Sequence, residues 1–355
     1  MSTGGWLSRW PLCFSTASVS PADPFSSSFL FPEPARHPCC SPERNPVQSL
    51  RLIDDNGGAH GPRPQDDPRR PAHHLVPDAL TPEQIESKAE HVAIGKANMP
   101  LVKLFVLAMF AGAFVALGAA FFTVVMGDAE MGFAVQRALG GLCFCLGLEL
   151  VLLCGAELFT GNALMVLGKV SGKISGRGLV RNWTIVWCGN FVGAVAIAAL
   201  IFGSNLQALN GGAVGDAMVS LAVGKVTPAW HTLFFKGVLC NLLVCLAVWI
   251  GFGARTTADK VLGIILPVAA FVVMGFEHCV ANMFFLPMGL AAKAAGFGAA
   301  VAGADALTPG SLLYNLSAAT LGNIAGGILI VGVGYWIAYG REAHKHEVEV
   351  EELAE

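Results

Sequence analysis

The chain has 355 residues, of which 54% are hydrophobic and only 13% charged, and its net charge is −3. A soluble domain carries about 25% charged residues, and a nucleic-acid binder shows a basic footprint, so both classes are excluded. Residues 101–340 hold 11 Lys and Arg and 8 Asp and Glu, whereas residues 1–100 hold 9 and 11, with 15 of the 19 prolines. That split describes a polar leader followed by a membrane domain.

Residues 1–75 are rich in Pro, Ser and Arg and lack any helical or alternating period. They bury too little apolar surface to offset the entropy of ordering, so a disordered leader is expected, with a start codon set too far upstream as the alternative. Residues 76–100 read as a cytoplasmic amphipathic helix, with Thr81 as N-cap, Pro82 at the first helical position and Glu83 in the first turn. Six apolar stretches follow near 101–126, 138–167, 182–203, 232–253, 261–290 and 312–340, each able to cross about 30 Å of hydrocarbon. The expected fold is therefore an all-α membrane protein with six transmembrane helices over 101–340. An acidic cytoplasmic tail occupies 341–355.

Lys169, Lys173, Arg177 and Arg181 crowd the loop after span two, Arg255 and Lys260 the loop after span four, and Arg341 and Lys345 follow span six. The opposite loops carry Arg137, Lys225 and Lys293. By the positive-inside rule both termini are cytoplasmic, which fits a multi-pass protein of the inner (cytoplasmic) cell membrane.

Two stretches echo each other. Span two reads Gly155-Ala156-Glu157-Leu158-Phe159-Thr160-Gly161-Asn162, and span five reads Gly275-Phe276-Glu277-His278-Cys279-Val280-Ala281-Asn282. Both are G-x-E-x-x-x-x-N. Asn182, Asn190 and Gly193 in span three recur at the same intervals as Asn315, Asn323 and Gly326 in span six. Three spans per half insert the second half upside down, giving an inverted three-plus-three repeat with helices two and five broken near the midplane. Gly161 and Asn162 are expected to open the helix. Glu, His and Asn within apolar spans must face protein or water, so Thr160 and His278 are candidates to hydrogen-bond a small oxyanion from opposite sides of a pore. Plainer roles stand beside these: Glu157 and Glu277 as groups satisfying broken backbone, and Asn190 and Asn323 as packing residues beside glycines.

The strings CGAELFTGN at 154–162, NLLVCLAVW at 241–249 and GFEHCVANMFFLPMG at 275–289 resemble the formate/nitrite transporter family, and the similarity spans about Pro77 to Arg341. The resemblance implies a homopentamer of aquaporin-like protomers in the lipid bilayer, each with its own pore for formate, nitrite or hydrosulfide, with or without protons. It implies that His278 is the central pore histidine and Thr160 the threonine of the interrupted second span. It places Lys225, Glu277 and Asn282 in a polar group beside the histidine and Asn241 in span four. Phe144, Leu148, Phe159 and Phe271 match the apolar constrictions of formate-type members, which makes formate the first expectation. No cofactor is implied.

In the expected mechanism Lys225 attracts the anion, the apolar constriction strips its water, and His278 either donates a proton or stays charged and holds the anion. Nitrite and hydrosulfide remain alternatives. A more remote one, a haem-bearing membrane anchor of a redox enzyme, needs paired axial ligands, for which His231 and His278 are the available histidines in or beside spans. No nucleophile–base set or phosphate loop points to an enzyme. Cys143-x-Cys145 lacks clustered His or Asp for a metal site. Glu149 and Lys236 lie inside spans without an assigned role.

Overall fold

The computed structural model describes residues 79–341, so the expected leader and nearly all of the expected tail lie outside the described residues. Every regular element among those residues is helical. Helix α1 (Pro82–Ala97) starts with a reciprocal cap, Thr81 Oγ1 accepting from the Gln84 amide and Gln84 Oε1 from the Thr81 amide. Its buried stripe mixes Ile85, Ala89 and Ala93 with two acids, Glu86 and Glu90. Glu90 is paired with Lys173 at 2.6 Å and also accepts from Ser171.

The first apolar helix, α2 (Leu101–Met126), has the expected bounds. Helices α3 (Phe133–Phe144) and α4 (Leu146–Leu153) form one 21-residue apolar segment, Phe133–Leu153. It begins before the expected position 138 because the polar side chains ahead of it are satisfied in the helix: Gln136 Nε2 donates to the Asp128 carbonyl at 2.6 Å. After a break at 154–160 the chain continues as a 3₁₀ turn, Gly161–Met165, and a short α5 (Val166–Val170). Helix α6 (Gly176–Gly203) returns across the structure.

The second half repeats this order. Helix α7 (Ala213–Val226) precedes α8 (Trp230–Gly253). The expected fifth span is two helices, α9 (Thr257–Val273) and α10 (Cys279–Ala294), separated by a break at 274–278. Helix α11 (Pro309–Ala325) runs on through π-helical stretches at Gly326–Gly332 and Trp336–Gly340.

Helix pairs α2/α6 and α8/α11 approach closely on small residues. A Cβ on Gly193 would fall on the Met109 carbonyl, and one on Gly326 on the Val238 carbonyl. Among the described residues five helices are long and apolar enough to cross a membrane, and large apolar side chains such as Val102, Phe133 and Leu266 face outward. The fold is that of a multi-pass membrane protein.

Candidate functional site

The two breaks carry the site. The opening expected at Gly161–Asn162 begins six residues earlier, at Gly155 (φ +73°), and its counterpart is Gly275 (φ +68°). The chain turns there through the left-handed region, which a residue without Cβ adopts at little cost. Gly161 instead starts the 3₁₀ turn that resumes the helix.

Each break is held by the same set of hydrogen bonds. The Glu157 amide donates to the Leu107 carbonyl (3.1 Å), and the Glu277 amide to the Lys236 carbonyl (3.3 Å). Asn190 Nδ2 donates to the carbonyls of Glu157 (2.9 Å) and Ala108 (2.7 Å), and its Oδ1 accepts from the Phe159 amide. Asn323 Nδ2 donates to the carbonyls of Glu277 (2.8 Å) and Gly237 (2.9 Å), and its Oδ1 accepts from the Cys279 amide. Two fully buried asparagines thus take over backbone groups that the broken helices leave without partners.

The side chains match as well. Asn162 Nδ2 donates to Glu157 Oε2 (2.8 Å) and Asn182 Oδ1 (2.9 Å). Asn282 Nδ2 donates to Glu277 Oε2 (2.6 Å) and Asn315 Oδ1 (2.7 Å). A lysine completes each cluster: Lys96 Nζ lies 2.7 Å from Glu157, and Lys225 Nζ 3.4 Å from both oxygens of Glu277. Lys225 is the looser of the two and sits 5.2 Å from the centre of the Phe285 ring.

Between the clusters, Thr160 Oγ1 lies 3.0 Å from His278 Nε2, both residues buried. His278 is also the N-cap of α10: its Nδ1 accepts from the Ala281 amide at 3.1 Å. An amide can only donate, so Nδ1 bears a lone pair and the ring proton sits on Nε2, facing Thr160. Thr160 is held from behind by Asn241, whose Nδ2 donates to the carbonyls of Thr160 (3.2 Å) and Asn323 (2.6 Å). The Asn323 carbonyl also accepts from the Gly326 amide, where α11 passes into the π-helical stretch Gly326–Gly332.

Two cavities of about 60 Å³ each lie near the pair: His278 lines one, and Gly161, the residue after Thr160, lines the other. One is lined by Lys225, His278, Phe144, Phe271, Phe285 and Arg137, the other by Lys96, Leu148, Leu158, Gly161, Asn162 and Val248. Phe271 stacks on His278 (centroids 5.8 Å apart) and meets Phe144 edge-on (5.7 Å). Phe144, Leu148 and Phe271 are at most 5% exposed. Such dimensions suit an ion of a few heavy atoms, since a single water needs about 10–15 Å³ of such space.

The formate/nitrite transporter family matches residues 83–337. The chain belongs to that family. The Escherichia coli (strain K12) protein named formate channel FocA is 39% identical over 278 residues, covering 76% of this chain and 98% of that protein. A solved pentameric formate channel with formate bound shares the fold with a TM-score of 0.61 at 40% identity, over 67% of this chain and 97% of the other. An FNT family ion channel gives 0.64 at 32% identity, over 72% and 98%.

Within this transporter, the structure brings together His278, Thr160, Lys225, Glu277 and Asn282 around the second break and Glu157 and Asn162 at the first. Lys225, His278, Phe144 and Phe271 line one cavity and Leu148, Gly161 and Asn162 the other, while Thr160, Phe159, Asn241, Glu277 and Asn282 are buried and line neither. Glu149 and Lys236 also line neither; Lys236 contributes its backbone carbonyl to the second break.

Lys96 is the residue that the sequence reading misses. Its signal is in the chain: Ala93-Ile94-Gly95-Lys96 echoes Ala222-Val223-Gly224-Lys225, but it lies ahead of the first span and so outside the two repeated stretches. Asn182 and Asn315 are visible as repeat partners, and the structure adds that each carries its lysine's backbone carbonyl as a hydrogen-bond partner (3.2 and 2.7 Å).

Proposed function

We propose that the protein passes small monovalent anions, formate first among them, along a path in each protomer from the Lys225 cavity past Thr160 and His278 to the Lys96 cavity. The observation that carries this reading is the buried Thr160–His278 pair: His278 lines the Lys225 cavity, and Thr160 is followed by Gly161, which lines the Lys96 cavity. Relatives named as formate channels, and a similar structure that holds formate, support formate as the substrate.

The energetics favour a neutral crossing species. A bare carboxylate in an apolar constriction loses tens of kcal/mol of solvation in the idealised limit, and several kcal/mol after relaxation. Protonating a small carboxylic acid of pKa about 3.7 at pH 7 costs only about 4.5 kcal/mol, at roughly 1.4 per pH unit. Lys225 draws the anion in, and Phe144, Phe271 and Leu148 exclude water and with it the charged form. His278 offers its Nε2–H to the passing oxygen in place of Thr160. A second proton on the ring would have to displace the Ala281 amide from Nδ1, so His278 acts as a neutral donor and the proton that travels with formate comes from solvent in the cavity.

The basic loops orient the Lys96 cavity, α1 and both termini to the cytoplasm of the inner membrane, and the matching hydrogen-bond sets support an inverted three-plus-three repeat. Similarity to a solved formate channel that is itself pentameric supports a pentamer. Nitrite and hydrosulfide have neutral conjugate acids and form the second reading.

The test is anion flux into proteoliposomes at fixed internal pH. Formate flux should rise as external pH falls, approaching tenfold per unit, and His278→Ala should lower it. Pentamers that pass nitrite or hydrosulfide but not formate would overturn the substrate, and a flat pH profile would overturn the neutral-acid route.

A further inference from the structure

The two cavities are not electrically equivalent. In the Lys96 cavity the lysine is matched by Glu157, so the pair sums to zero. In the Lys225 cavity Glu277 already matches the lysine, and Arg137 is an additional cation on the lining. Counting back the same 18 residues from Gly155 and Gly275 gives Arg137 in one half and Thr257 in the other. The repeat therefore breaks at this position, and it breaks by one positive charge.

Arg137 is placed for more than charge. It lies on α3 about one turn from the helix start. Its Nε and Nη2 donate to the Val273 carbonyl at 3.3 and 3.2 Å, a group that the end of α9 leaves free. The guanidinium carbon sits 5.9 Å from the centre of the Phe122 ring, and a Cβ on Gly275 would come within 3.0 Å of Nη2. The plane of the group is thus held by a carbonyl, an aromatic ring and the glycine turn. Two of its five N–H bonds are spent on Val273 and no carboxylate pairs with it among the described residues. A guanidinium stays charged throughout the accessible pH range, and its fork matches two-oxygen anions.

We propose that Arg137 is a specificity-determining residue of the Lys225 cavity: it captures planar oxyanions through its guanidinium fork and hands them to Lys225 and His278. This inference rests on the transport reading above. It separates formate and nitrite, which present two oxygens to the fork, from hydrosulfide, which presents one sulfur. It also makes the Lys225 side the more strongly loading face, since among the described residues no cation besides Lys96 lines the opposite cavity.

The test uses full-length pentamers carrying Arg137→Lys and Arg137→Gln, with uptake measured from the Lys225 side and from the Lys96 side in membrane vesicles of the two orientations. Arg137→Gln should raise half-saturating formate at the Lys225 face about tenfold, the low end for a charged hydrogen bond, and leave half-saturation at the Lys96 face within about twofold. Arg137→Lys keeps the charge without the fork, so formate and nitrite should weaken while hydrosulfide does not. If Arg137→Gln fails to assemble, Arg137→Lys alone decides through the formate-to-hydrosulfide ratio. Unchanged half-saturation and selectivity, or an equal loss at both faces and for all anions, would overturn the proposal and leave Arg137 a clamp on Val273. A wild-type protein that passes no small anion would overturn the transport reading and this proposal together, whereas normal wild-type flux with unaltered variants would overturn only the proposal.

Discussion

Thr160 and His278 meet at 3.0 Å although 118 residues separate them in the chain. Thr160 stands five residues after Gly155 and His278 three after Gly275, the glycines that turn the backbone, so the contact joins the two interrupted helices at one point. The hydroxyl is the acceptor for the Nε2–H of an imidazole whose other nitrogen caps α10.

Thr160→Val keeps the shape and removes the acceptor. Leaving a buried donor without a partner costs about 1–3 kcal/mol, so the melting temperature of the purified protein should drop by several degrees. Formate flux should fall by roughly tenfold, the rate equivalent of about 1.4 kcal/mol. Unaltered flux in a protein with lowered stability would make the pair structural only.

Glu157→Gln and Glu277→Gln should each destabilise the fold. Both carboxylates are almost fully buried beside a lysine and an asparagine donor, and breaking a buried pair from one side costs about 3–5 kcal/mol, less here because the lysines are partly exposed. About 2–4 kcal/mol at each site is expected, read by thermal unfolding in detergent. The two clusters share this plan, so both substitutions should lower the melting temperature; an unaltered value at either site would show that its lysine–carboxylate pair adds nothing to the fold.

Gly155→Ala and Gly275→Ala separate strain from contact. Both glycines have left-handed backbones, which cost an L-residue roughly 1–2 kcal/mol. Nothing lies near a Cβ at Gly155, whereas at Gly275 it meets Arg137. Stability should fall similarly in both, and half-saturation for formate should change in Gly275→Ala only.

Asn241→Asp replaces a donor between two carbonyls with an acceptor. The carbonyls of Thr160 and Asn323 would then face a carboxylate, and unmet buried carbonyls cost about 1–3 kcal/mol each. Loss of assembly, or a fall in stability of about 3 kcal/mol or more, is expected by unfolding and size-exclusion chromatography. Asn241→Leu should be milder and should still lower flux by loosening Thr160. A variant pair of equal stability would show that Asn241 does not hold the loop.

The matching G-x-E-x-x-x-x-N strings are readable in the chain because Glu and Asn pair across a short local break, so their spacing survives in both halves. Asn190 and Asn323 are readable for the same reason, at fixed distances from close-packing glycines. Lys96 is harder to see: it reaches Glu157 across 61 residues, and loops of different length before each break leave no constant interval. Polar content points to Gly161 as the turn, whereas the chain turns at Gly155, because nothing in composition distinguishes a glycine with positive φ from one that begins a helical turn.

The chain alone determined that this is a helical membrane protein with two broken spans, since long apolar runs admit only helices and an intramembrane Glu or Asn demands a partner. Only the tertiary structure decided which partners those were. It brought Thr160 to His278, fixed the imidazole proton by the Ala281 amide, and left Arg137 as the unmatched charge on one cavity. Those outcomes depend on where α1, α3 and α9 pack against the breaks, and hydrophobic periodicity specifies which residues are buried without specifying which buried polar atoms meet.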